Sequence, residues 1–156
     1  MSLTRIDGIT DDTIMTRQRI VMDTNILVAA LQSQQGASFR LLSLVGQKRF
    51  DICLSVALLL EYEDVTTRFL DKTGLSQTEL DDILDYLCLV GHHQKVHFLW
   101  RPFLKDPKDD MVLELAVAAY CTTIVSFNQR DFKGSDQFGI QVLKPGEFLK
   151  KLGEQK

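Results

Sequence analysis

Long hydrophobic runs are missing from this chain of 156 residues. No stretch approaches the roughly 20 consecutive apolar residues that span a bilayer, and the opening MSLTRIDGITDDTIMTRQ lacks the apolar segment of a signal peptide. The expectation is a protein that stays in the cytoplasm. Proline and glycine are sparse, 3 and 9 residues, against 45% apolar and 25% charged. There is no tripeptide period and no low-complexity tract, which excludes collagen-like and disordered classes. Cysteine is scarce as well. Cys53, Cys88 and Cys121 are an odd, widely spaced set without a CxxC, each in an apolar run, so they read as reduced core thiols and not as a disulfide framework. An excess of positive charge is also absent. The 18 Lys and Arg against 21 Asp and Glu leave −3, so a nucleic-acid partner would need a local basic patch. No Gly-x-Lys loop follows a strand, which removes the phosphate cradle of an NTPase.

What is present is a strand–helix alternation. RIVM from Arg19 ends abruptly in Asp23-Thr24-Asn25, and ILVAAL continues with helical character. Gly36 breaks that helix. SFRLLSLVGQ then pairs Phe39 with Leu42 and Leu41 with Val45 on one face of a second helix. FDICL, residues 50–54, is a strand, and Ser55 stands as the N-cap of a helix over VALLLEYEDVTTRFL. Ser76 and Glu79 have capping-box spacing ahead of a stripe of Leu80, Ile83, Leu84 and Leu87. Residues 95–99 are expected as a short strand and 101–108 as a loop, with Asp109 opening a helix that is apolar on most faces. TTIVSF and IQVL are the last strands, and Pro145 starts a terminal helix. This order predicts an α/β fold, a three-layer α/β/α sandwich around a mostly parallel sheet of four or five strands. Residues 1–17 read as a loose arm and 18–152 as one domain.

In an open parallel sheet, ligands bind beyond the carboxyl ends of the strands. RIVM delivers Asp23 to that edge and TTIVSF delivers Asn128, while Asp110 lies in the first turn of the helix leading into TTIVSF. Each taken singly is open to a simpler reading as a helix cap or a dipole partner. Glu61 is the sharpest single residue. At 100° per residue it falls at the border of the apolar arc formed by Leu58, Tyr62, Val65 and Phe69, where a carboxylate is costly unless a cation or donors meet it. A salt-bridged or snorkelling Glu is the alternative. Glu63 and Asp64 read as solvated. Asp23, Glu61, Asp110 and the segment from Asn128 to Asp131 would converge as hard oxygen ligands suited to Mg²⁺ or Mn²⁺. Such an ion activates water for attack on a phosphodiester, with no side-chain nucleophile required. Lys105, Lys108, Arg130, Lys133 and Arg101 flank the acids as a phosphate-binding rim would.

Four blocks in this order, RIVMDTNILVAAL, LSVALLLEYEDV, KDPKDDMVLELAVAA and IVSFNQRDF, with KPGEFL closing the chain, resemble the PIN domain family. Within it they are most similar to the branch of toxin components of toxin–antitoxin systems. The resemblance spans residues 19 to about 150. It implies a metal-dependent ribonuclease site, a small cognate antitoxin protein, and a homodimer. Carried over by position, Asp23, Glu61 and Asp110 match the three acids, and Asn25 matches the companion that holds the first of them. Ser126 matches a hydroxyl position. Asn128 stands where many members carry Asp, which leaves Asp131 as substitute or partner in the fourth place. Spacing alone does not separate Asp109 from Asp110.

The residues admit three other readings. HHxxxH at His92, His93 and His97 suggests zinc, but no Cys or carboxylate accompanies it at ligand spacing, so surface histidines at a helix end and loop are expected. A dehalogenase-like phosphatase needs D-x-D after its first strand, and here Asn25 cannot act as the general acid. A PIN-like module without catalytic activity, serving in assembly or RNA binding, is the alternative to an enzyme. It would have lost two or more acids.

Overall fold

The computed structural model describes residues 17–97 and 103–153. Its five strands are β1 (Arg19–Met22), β2 (Asp51–Leu54), β3 (His92–His93), β4 (Thr123–Val125) and β5 (Gln141–Leu143). They form one sheet in the order β3-β2-β1-β4-β5, and every neighbouring pair is parallel. Among the described residues the α-helices are α1 (Thr24–Gln32), α2 (Ala37–Leu44), α3 (Val56–Arg68), α4 (Gln77–Val90), α5 (Pro107–Ala118) and α6 (Pro145–Leu152). This is the expected α/β sandwich. None of these helices is long and apolar enough to cross a membrane.

The strands are short and apolar because the sheet is covered on both faces. Ile20, Val21, Met22, Ile52, Cys53, Leu54, Ile124 and Val125 are all buried. The chain runs outward from β1 to β2 and β3, then returns to β4 and β5 on the other side of β1. The strand order therefore reverses between β1 and β4, and the crevice of an open α/β sheet lies beyond the carboxyl ends of those two strands. Helix α5 packs against β1, β2 and β4, and α1 packs against α2 and α3. Phe148 of α6 meets Phe50 edge-on at 5.4 Å.

Local signals set the helix starts. Ser55 Oγ accepts from Leu58 N at 3.1 Å, and the Ser76–Glu79 capping box is formed in both directions. Two expectations need correction. Helix α5 begins at Pro107, ahead of Asp109, because the Asp106 side chain caps it by accepting from Lys108 N at 2.9 Å and proline suits the first turn. The strand expected at 95–99 is not found at Lys95–His97, and the remainder lies outside the described residues. Instead His92 and His93 pair with Cys53 and Leu54 as an edge strand, directly after α4. The arm expected over 1–17 lies outside the described residues except for Arg17, which pairs with Asp51 at 3.1 Å.

Helix α5 closes with Tyr120 in the left-handed region at φ 57°. Tyr120 N donates to Val117 O and Cys121 N to Ala116 O, a closure that favours glycine at this position. The tyrosine is 85% exposed, so its ring contributes little to the core. Tyr120→Gly is expected to raise stability by about 1 kcal/mol, or roughly 2–4 °C in thermal melting. An unchanged or lower melting temperature would contradict this.

Candidate active site

Asp23 follows β1 directly and caps α1, its Oδ1 accepting from Thr24 N at 2.9 Å. The register Met22↔Val125 places the next residues, Asp23 and Ser126, side by side. Asp23 N continues the ladder to Val125 O at 2.9 Å, and Ser126 Oγ donates to Asp23 Oδ2 at 2.6 Å. Ser126 Oγ in turn accepts from Asn128 N at 3.0 Å. Each carboxylate oxygen of Asp23 thus has one protein donor and keeps acceptor capacity for a ligand. Burial raises the Asp23 carboxyl above its ordinary range, and the negative charges of Glu61 and Asp131 add to this against the two hydrogen bonds.

Asn25, matched by position to the companion of the first acid, lies two residues beyond Asp23 in α1. Among the described residues no hydrogen bond joins the two side chains. Ser126 and the Thr24 amide hold Asp23, and Asn25 Oδ1 is buried without a partner.

Glu61 reaches the same crevice from α3. The next residue, Tyr62, is fully packed and donates from its hydroxyl to Met22 O at 2.6 Å. That bond ties the middle of α3 to the end of β1 and fixes where Glu61 emerges. The Glu61 side chain is 18% exposed, and Lys108 Nζ stands 3.8 Å from its Oε2. Asp64 pairs with Arg68 on the solvent side at 2.8 Å, as a solvated residue should.

The adjoining acids of α5 divide their work. Asp110 is buried, and its Oδ1 accepts from Leu104 N at 2.8 Å and Phe103 N at 3.2 Å. It fastens the preceding loop to the helix. Asp109 is half-buried, and its carboxyl is pushed up to about 6, first by burial and then by the charges of Asp23, Asp106, Asp131 and Asp110. Asp109 therefore shares the electrostatic neighbourhood of Asp23 and Asp131.

Asn128 is exposed and takes part through its backbone, with N donating to Ser126 Oγ and O accepting from Asp131 N at 3.0 Å. Asp131 sits in the 3-10 turn that follows, and its charge bears on both Asp23 and Asp109. Lys105, Lys108, Arg130 and Lys133 are exposed. Arg101 lies outside the described residues. Two of the histidines meet partners within the chain, His93 Nε2 lying 2.6 Å from Cys88 O and His92 Nε2 3.2 Å from Gln94 Oε1, while His97 is exposed. Cys53, Cys88 and Cys121 are free thiols.

Among the described residues no group of three or more His, Cys, Asp or Glu side chains stands ready to hold a metal ion. A Mg²⁺-type site does not need one, because the ion commonly takes one or two carboxylates and keeps several waters. The donor set fits such a hard cation. The charges of Glu61 and Asp131 raise the carboxyl of Asp23, those of Asp23 and Asp131 raise that of Asp109, and the buried amide oxygen of Asn25, two residues after Asp23, has no partner.

A family profile described as PIN domain matches residues 19–130. The chain belongs to the PIN domain family. A search of curated proteins gives no match. PIN domains are generally metal-dependent nucleases, and Asp23 of this PIN domain stands at the carboxyl end of β1, where the strand order reverses.

Two parts of this PIN domain escaped sequence reasoning. The division of labour between Asp109 and Asp110 depends on how α5 is rotated. The other is Glu114, a mostly covered acid inside the same helix, whose signal in the sequence is a carboxylate flanked by Leu113 and Leu115.

Proposed function

We propose that this PIN domain is a divalent-metal-dependent endoribonuclease whose acids are Asp23, Glu61, Asp109 and Asp131, with Asp109 taking the place that position-matching gave to Asp110. The single observation that carries the reading is the Asp23 carboxylate, held by Thr24 N and Ser126 Oγ at the carboxyl ends of β1 and β4, with acceptor capacity left over and the charges of Glu61, Asp109 and Asp131 around it. Like charges gathered this way are costly unless a cation joins them. Mg²⁺ or Mn²⁺ held there would activate a water and neutralise charge building on the scissile phosphate.

The chain's own residues do the positioning. Ser126 and the Thr24 amide orient the two oxygens of Asp23. Asp110 holds Phe103 and Leu104 against α5, which keeps the loop at a set distance from Asp109. Lys108, beside Glu61, offers an ammonium to an RNA phosphate, and Lys105 and Arg130 extend the basic rim. Asn128 contributes its backbone to the turn that delivers Asp131.

A toxin role rests on the resemblance of the four sequence blocks. It brings with it a homodimer, a cytoplasmic site of action and a small antitoxin. An inhibitor of this site would present Arg or Lys to the carboxylates, because a cationic group there competes directly with the metal. The test is expression of this chain in a bacterial host beside Asp109→Asn, followed by co-expression of the small open reading frame next to its gene. Growth arrest by the parent alone, relieved by the neighbour, is expected. Equal growth of parent and variant at matched soluble levels would remove the toxin role. A non-catalytic PIN module would show, in addition, no metal-dependent cleavage of RNA.

A further inference from the structure

Behind the acid crevice lies a second cavity of about 590 Å³, lined mainly by apolar side chains, including Val56, Leu60, Val96 and Met111. It is continuous with the crevice, because Leu60 and Met111 also line the shallow groove that holds Glu61 and Lys108. Val56 and Leu60 are 75% and 59% exposed, so the pocket is open. Glu114 is among its lining residues and is only 7% exposed. No hydrogen bond or ion pair joins the Glu114 carboxylate to another described residue. Burial and the like charge of Asp110 raise its carboxyl. Glu114 is not among the residues with an enclosed, unpartnered oxygen, so its carboxylate opens onto the pocket, and an acceptor pair with no protein donor beside apolar walls points to a ligand that brings donors in.

We propose that this pocket is a subsite for an unpaired guanine of the RNA strand, with the Glu114 carboxylate accepting from the base's N1–H and N2–H. The inference rests on the ribonuclease reading above. Nucleobases have flat apolar faces and a polar edge, which matches aliphatic walls around one acceptor pair. Guanine alone presents two parallel donors on its Watson–Crick edge. Adenine sets its N6–H₂ donor beside the N1 acceptor, cytosine sets N4–H₂ beside the N3 acceptor, and uracil has a single N–H between two carbonyls. Each of those three turns at least one lone pair toward a carboxylate. The exposed Lys95, another lining residue, and Lys108 at the groove supply cations for the phosphates on either side of the base. The guanine would therefore lie at a fixed distance along the strand from the cleaved bond.

The test has two arms. Uridine-tract RNAs carrying one G, A or C are cut with the parent and with Glu114→Gln in Mn²⁺, and the products are mapped. The G-containing RNA is expected to be cut at one fixed offset and preferred about 10- to 100-fold, the worth of one bidentate base contact. Glu114→Gln should lose that preference while cleaving G-free RNA within about twofold of the parent. In the second arm, GMP, AMP, CMP and UMP are titrated into metal-free parent protein while methyl resonances of Val56, Leu60 and Met111 are followed by NMR. GMP alone is expected to move them. GMP binding without any RNA cleavage would support the pocket while removing the nuclease reading. Cleavage without base preference, together with equal shifts by all four nucleotides, would overturn the pocket and leave the nuclease standing. Resonances that respond to protein dilution and not to GMP would assign the face to a second copy of the chain and likewise overturn it.

Discussion

Asp23→Asn is expected to lower the rate of metal-dependent RNA cleavage roughly 100- to 1000-fold without loss of folded protein. The two effects come from one feature. Asp23 is held in place by donors from Thr24 and Ser126, yet its carboxyl is raised by burial and by Glu61 and Asp131. Replacing it with an amide keeps the shape and an oxygen for the Thr24 amide, and removes one of the crowded charges. The metal-free variant should therefore melt no lower than the parent at pH 8. The activity lost and the stability kept are the mark of a group placed for chemistry at a cost to the fold. Cleavage rates and thermal melts on the same preparations check both. A variant that loses activity in parallel with several degrees of melting temperature would make Asp23 a structural cap.

The neighbouring pair on α5 should split in the opposite sense. Asp109→Asn is expected to remove activity as strongly as Asp23→Asn does, and to raise the metal-free melting temperature slightly at neutral pH. The sign follows from the raised carboxyl. Its pKa lies near 6 in the folded chain against 3.8 as the ordinary value, so the folded state holds the proton more tightly. Stability therefore falls as pH rises from about 4 through 6, and the variant lacks that fall. Asp110→Ala acts through structure. It strips the acceptor from Phe103 N and Leu104 N, which costs about 2–3 kcal/mol and roughly 5–10 °C of melting temperature. Well below that temperature it should retain cleavage within about tenfold. If Asp110→Ala proved inactive but undiminished in stability while Asp109→Asn cleaved normally, the assignment would be reversed.

Why spacing left Asp109 and Asp110 unresolved is visible in the helix itself. Adjacent residues on a helix differ by 100°, so an apolar stripe normally tells which of two faces the sheet. Helix α5 has no such stripe: Val112, Leu113, Leu115 and Ala116 are all buried, so its middle shows no single apolar face. Its rotation is set by packing against β1, β2 and β4, which no local pattern records. Asp23 was legible for the opposite reason. An apolar strand that stops at an acid and turns into a helix marks the carboxyl end of a strand in any parallel sheet. Glu61 was legible because α3 does have a stripe and the acid sits on its border. The two-residue strand β3 gave no signal, since His92 and His93 are neither β-branched nor alternating, and they join the sheet only because β2 offers its edge.

The aromatic pair Phe103 and Phe138, edge-on at 5.4 Å, was hidden for a related reason. Its members come from two loops that meet only in the folded chain, and Gly134 at φ 95° lets the second loop pass close to the Phe103 ring.

The most direct measurement is a Mn²⁺ titration of RNA cleavage by the parent protein, with end-labelled RNA, run at pH 8 and again at pH 5. No cleavage is expected in EDTA, and Mn²⁺ should restore it fully at pH 8. At pH 5, below the carboxyl near 6 of Asp109, the proton competes for the site, so the half-saturating Mn²⁺ concentration should rise roughly tenfold per pH unit that one such group is pulled below its pKa. Cleavage at the same rate in EDTA as in Mn²⁺ would contradict a metal held by these acids.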